Sequence, residues 1–240
     1  MSDMIDETRR LKSRAMDARD RGDFGRAIEL LERASRQLSE TLQELKRKRD
    51  TASSPGIQET ETASQLCHIL GSMGGVHRRN HDYQAAARAY DAGYEIEKPS
   101  SEYGIVNSYN LVQRLVMRVF LEPAAVEVEN MQVEGLQIRH ELREALNELQ
   151  RQIEGPRCDD EYARADLFTV QLLLDDKDWP WTLEDFKDSH PEPYAIKTTV
   201  ETLEALRDRV ASTPSAPPEF ARRLSTALTH FRQPGGAGTA

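Results

Sequence analysis

The 240-residue chain has only two cysteines, Cys67 and Cys158. They are too few for a disulfide framework and are not spaced as zinc ligands, so a reducing compartment is expected. Aromatic residues make up 6% of the chain and β-branched runs are few, which disfavours a sheet protein and points to an all-α fold. No apolar run approaches the roughly 20 residues of a membrane span. The first ten residues, MSDMIDETRR, contain no apolar signal core. These absences lead to the expectation of a soluble, cytoplasmic protein with no membrane association. Cationic excess is missing too: the net charge of −9 argues against nucleic acid as the partner.

Chemistry-bearing motifs are equally thin. There is no Gly-x-Ser-x-Gly, and Gly71-Ser72-Met73-Gly74-Gly75 has no following Gly-Lys-Ser/Thr and sits inside a helical pattern, so it is no phosphate loop. His140-Glu141-Leu142-Arg143-Glu144 begins like a zinc-protease helix but lacks the second histidine. His77 and His81 are spaced i, i+4 with Cys67-His68 nearby, yet His77 holds a packing position and His81 a turn. Asp159-Asp160-Glu161 lacks the loop glycine of a calcium site and instead suits the positive end of a helix. No catalysis, no metal and no cofactor are expected.

What the chain does have is a helical hairpin at residues 70–99. Leu70, Met73, Gly74 and His77 share one helix face; after Asn80-His81-Asp82, Tyr83, Ala86, Tyr90 and Gly93 share another. A large residue opposite small ones lets two backbones approach closely. Phe24, Ala27, Leu31 and Ala34 repeat the second-helix spacing after Gly22-Asp23, and Trp179, Thr182, Phe186 and Ser189 repeat it again after Asp178. Asp23 and Asp82 are placed to cap the helices that follow them. The pattern of apolar-x2-apolar-Gly-x2-large, then Ala-x3-aromatic, then Pro99 resembles the tetratricopeptide repeat, with Leu70 standing where that family usually has Trp and His77 where it has Tyr. The segments ADLFTVQLLLDDKDW and PEPYAIKTTVETLEALRD also resemble the irregular helical arrays of some bacterial signalling and conflict-system proteins.

Tyr83 follows Phe24 by 59 residues and Trp179 follows Tyr83 by 96, so the array is irregular. The pattern predicts one helical domain over residues 1–232, an irregular α-solenoid of antiparallel hairpins breaking near Gly22, Asn80 and Lys177. Its parts are a hairpin at 6–50, a linker at 51–57, a hairpin at 58–99, a long helix pair at 102–153, and a degenerate hairpin with closing helices at 159–232. Residues 233–240 are expected to be a disordered tail. The 3-4 apolar spacing of Ile28, Leu31, Leu38, Leu42 and Leu45 carries the helix from Phe24 to about Arg49, a length of about 40 Å. Lys46-Arg47-Lys48-Arg49 ends it, either as cations at a helix C-terminus or as a basic localisation patch. A second long helix is expected over 125–153, within the 102–153 pair. The apolar stripes of the long helices then bury against each other or across a dimer interface.

The resemblance implies a binding scaffold, because that superfamily serves mainly in protein–protein interaction. A non-enzymatic adaptor in signalling or regulation follows; the alternative is a sensor in which a small ligand or peptide controls an associated effector. In such arrays the first helix of each hairpin faces the ligand. Here that face carries Arg9, Lys12, Met16 and Arg19 in the first copy and His68, Gly71, Gly75 and Arg78, with Arg79, in the second. Cations beside small residues form a basic trough suited to an acidic segment of a partner protein. The family's clamp for a peptide carboxylate is not reproduced, since Met16 and Ser72 stand where its asparagines are expected.

Overall fold

The computed structural model describes residues 2–49 and 53–232. Among them are ten α-helices: α1 Ser2–Asp20, α2 Phe24–Lys48, α3 Ile57–Arg79, α4 Tyr83–Glu97, α5 Tyr109–Leu121, α6 Ile138–Ile153, α7 Glu161–Leu174, α8 Trp179–Asp188, α9 Pro193–Ala211 and α10 Pro218–Arg232. The fold is all-α and built of helical hairpins. A two-stranded hairpin, β1 Gln132–Val133 with β2 Leu136–Gln137, accompanies them. Contacts divide the chain into two compact units, Met1–Met117 and Arg118–Ala240, with the division falling inside α5.

In the first unit α1 packs on α2, α2 on α3 and α3 on α4 in succession. Gly22 turns the chain in a left-handed conformation (φ +80°) that a side chain would strain, and Asp23 then caps α2 by accepting the Arg26 N–H at 3.1 Å. Asp82 does the same for α4, accepting from Ala85 N–H at 2.9 Å. The breaks at Gly22 and Asn80 therefore fall where the turn chemistry put them. The close approach of α3 and α4 is equally direct: a Cβ on Gly74 would lie 2.6 Å from the Tyr90 ring, which is wholly buried.

The extended α2 is covered from within the unit by α3, which begins at Ile57, one residue before the expected start of the second hairpin. Leu38 and Leu42 of α2 share one apolar cluster with Ala63, Leu66, Ile69 and Leu70 of α3. The long partner expected from residues 102–153 does not exist. Its first half begins at Tyr109, since Gly104 is left-handed (φ +59°) and Asn107 accepts the N–H groups of Ser108 and Tyr109 at 2.8 and 3.2 Å. The buried Glu97 carboxylate at the end of α4 accepts from Asn110 N–H (3.1 Å), Leu111 N–H (3.3 Å) and the Asn110 amide (2.8 Å), capping α5 from a distance. The Lys46–Arg49 run is a clasp: Lys46 and Arg49 reach Glu102 at 3.0 and 2.5 Å, Arg49 also faces Glu59 at 3.4 Å, and Lys48 pairs with Glu44 at 2.6 Å. Of the expected linker, residues 51 and 52 lie outside the described residues, and Ile57 already belongs to α3.

In the second unit the expected helix over 125–153 is interrupted. A 3-10 turn at Pro123–Val126 is followed by the β1–β2 hairpin, in which Val133 pairs with Leu136 and the turn residues Glu134 (φ +48°) and Gly135 (φ +82°) are both left-handed. That is the geometry an X-Gly turn between two apolar residues favours. Only from Ile138 do the apolar steps Leu142, Ala145 and Leu149 form a buried stripe. The helices pair in order, α6 with α7, α7 with α8 and α9 with α10. The third copy of the pattern is present as α7–α8, with Trp179, Leu183 and Phe186 buried, but Asp178 caps nothing with its side chain. Buried Arg223 ties α10 to the end of α7 and to the turn before β1, through Asp175 (3.1 Å), Leu173 C=O (3.4 Å) and Glu127 (3.0 Å). The expected tail, 233–240, lies outside the described residues.

Candidate binding face on the first unit

His68, Gly71, Gly75 and Arg78 step by three and four along α3 and so share one stripe of it. Lys12 of α1 stands close enough to His68 to act on it electrostatically. Burial holds Lys12 below the usual lysine range, and burial, then the Lys12 charge, holds His68 below 6.5. No carboxylate among the described residues pairs with Lys12. Farther along, Arg79 reaches Asp20 at the end of α1 (3.9 Å), and Asp20 also takes Arg19 at 2.8 Å. Arg9 pairs with Asp6 at 3.7 Å on the open surface, an interaction worth little. Met16 packs against the apolar core of the unit and so stands with the core and not with the open face.

The room that the glycines leave is not open along its whole length. A Cβ on Gly71 would lie 3.1 Å from the Tyr109 ring and 3.0 Å from the Asn110 amide oxygen, and Gly71 is buried. The first turn of α5 therefore fills the space that the sequence pattern left for a ligand at Gly71. Gly75 has only ordinary contacts, with the Tyr90 and Tyr109 hydroxyls at 3.7 and 3.8 Å. Tyr109 is 40% exposed, meets the buried Tyr90 ring edge-on at 5.7 Å between centroids, and shares a 3.4 Å hydroxyl contact with it. Burial pushes the Tyr90 phenol well above its usual range, while Arg78 and Arg79 pull in the other direction, which places both guanidinium groups within electrostatic reach of the tyrosine pair.

Tyr109 thus belongs to the face, and the sequence reading did not include it. The signal was present: two glycines four residues apart on one helix imply a large side chain from elsewhere that fills them. Cys67 offers no reactivity, because burial first and the Glu97 charge second push its thiol up to about 12. Among the described residues no group of three His, Cys, Asp or Glu side chains is placed to hold a metal ion. Among the described residues no helix is long and apolar enough to cross a membrane. No protein-family model matches the chain, and no curated protein gives a significant match.

The depressed histidines set a pH dependence. His68 and His77 are both held below 6.5, each chiefly by burial, so near neutral pH both are uncharged folded or unfolded. Below 6.5 the unfolded chain takes up these protons first, and stability falls as the pH drops toward the folded values. Urea titrations at pH 7.5 and 5.5 are expected to give a lower midpoint at 5.5, with a smaller drop for His77→Gln. An equal drop in that variant assigns the loss to other groups.

Proposed function

We propose that the chain is a non-enzymatic adaptor that works in the cytoplasm, in signalling or regulation, and holds an acidic segment of a partner protein on the α1–α3 face of its first unit. The observation that carries this reading is Lys12, half-buried beside His68 and without a carboxylate partner among the described residues, on a chain whose net charge is −9. A desolvated ammonium gains most from an incoming carboxylate, which replaces lost hydration with a charge-assisted hydrogen bond. Arg78 and the half-exposed Tyr109 extend the same face, cation beside aromatic, a pairing common at protein interfaces. The resemblance of the hairpins to tetratricopeptide repeats supports the same class of function.

Fluorescent hexaglutamate amide is the probe. The full chain is expected to bind it at low salt, and the affinity is expected to fall as salt rises. Lys12→Glu with Arg78→Glu abolishes the binding while the melting temperature stays near that of the wild type. Equal binding by that variant, or no binding by the wild type, overturns the proposal.

A further inference from the structure

The second unit carries a surface of opposite character where α7 and α9 begin side by side. The Glu161 carboxylate on α7 accepts the Glu192 N–H at 2.8 Å, which joins the two helix starts. Tyr162 and Tyr194, one residue along from Glu161 and two from Glu192, are 41% and 52% exposed. Large aromatic rings in solvent at two neighbouring helix starts are unusual for a surface with no role in contact. The cations nearby are committed elsewhere: Arg157 pairs with Asp160 at 2.8 Å, Arg164 with Asp185 at 3.0 Å and Lys197 with Glu201 at 3.8 Å. Asp159, Glu161 and Glu192 have no cation partner among the described residues. Burial first, then the charges of Glu192, Glu161, Tyr194 and Asp160, push the Tyr162 hydroxyl upward, so these groups lie within electrostatic reach of it.

We propose that this edge of the second unit, Tyr162 and Tyr194 beside Glu161 and Glu192, binds an arginine-bearing basic segment of a partner protein. A guanidinium plane stacks on a tyrosine face while its N–H fork pairs with a carboxylate, so one arginine uses both kinds of group present here. Lysine offers a point charge and gains less from the rings. The site is separate from the acidic-segment face of the first unit, so its failure leaves that reading standing. With both in place the chain links two partners of opposite charge.

The test uses fluorescent hexa-arginine and hexa-lysine amides with the full chain. Hexa-arginine is expected to bind more tightly than hexa-lysine. Tyr162→Leu with Tyr194→Leu weakens hexa-arginine about ten-fold, while the corresponding pair of Phe substitutions keeps it. Glu192→Gln, which leaves both rings and the backbone contact with Glu161 in place, weakens both peptides. Each variant is checked by its melting temperature. Diffuse attraction to an acidic chain gives a different result: equal binding by wild type and the Leu pair, or no effect of the Glu192 change. Either outcome, or no binding by the wild type, overturns the proposal.

Discussion

Gly74→Leu is expected to lower the melting temperature of the first unit sharply or prevent it from folding. A Cβ at this position alone would lie 2.6 to 2.8 Å from three atoms of the Tyr90 ring. That ring has nowhere to retreat: it is fully buried, with its hydroxyl against that of Tyr109. The rest of a leucine side chain adds volume to a space already closed, and overpacking of this kind costs about 1–3 kcal/mol or more. Gly74→Ala is expected to destabilise as well, since its single methyl already makes the contact. Gly25, inside α2 with nothing within 4 Å of its would-be Cβ, provides the contrast: Gly25→Ala is expected to stabilise by about 0.5–1 kcal/mol. Thermal melts followed by circular dichroism measure all three. A Gly74→Leu protein that melts with the wild type removes the close approach of α3 and α4 as the organising contact of the unit.

Whatever depended on local spacing was legible. The aromatic–small–large–small pattern located α2, α4 and α8, and the aspartates before the first two made the expected caps. The long α2 was visible because five apolar positions kept one stripe in phase. The sequence misled where one short signal outweighed a long pattern. Glu134-Gly135 turns the chain between Val133 and Leu136 and ends any helix there, although the residues on both sides suggested continuity. The start of α5 was hidden for a different reason: its cap comes from Asn107 and, across the fold, from Glu97 on another helix, a contact that no local window contains. The geometry of the candidate face was half legible. Periodicity put His68, Gly71, Gly75 and Arg78 on one stripe, whereas the nearness of Lys12 to His68 is a contact between helices that spacing along one helix does not show. That Tyr109 would cover Gly71 depended on where α5 enters, which is again a contact distant in sequence.

Leu38→Asp with Leu42→Asp is expected to remove most of the stability of the first unit. The extended half of α2 carries these leucines beyond the length of an ordinary hairpin, where an unpartnered stripe would ask for a second chain. The first half of α3 supplies the cover instead. Leu38 is fully buried and Leu42 is 7% exposed, both within a cluster that includes Ala63, Leu66, Ile69 and Leu70. An aspartate at Leu38 enters that cluster either charged and unpaired or protonated at the cost of its ordinary ionisation, and an uncompensated buried charge costs on the order of 3–5 kcal/mol. Domain stabilities are commonly about 5–15 kcal/mol, so two such changes on one stripe leave little. Urea denaturation is expected to show an early, broad transition with the apolar cluster exposed. Light scattering distinguishes the alternative directly: if the double variant keeps its denaturation midpoint while a dimer becomes a monomer, the stripe serves an interface between chains. The burial of both side chains within a single chain is the reason to expect lost stability.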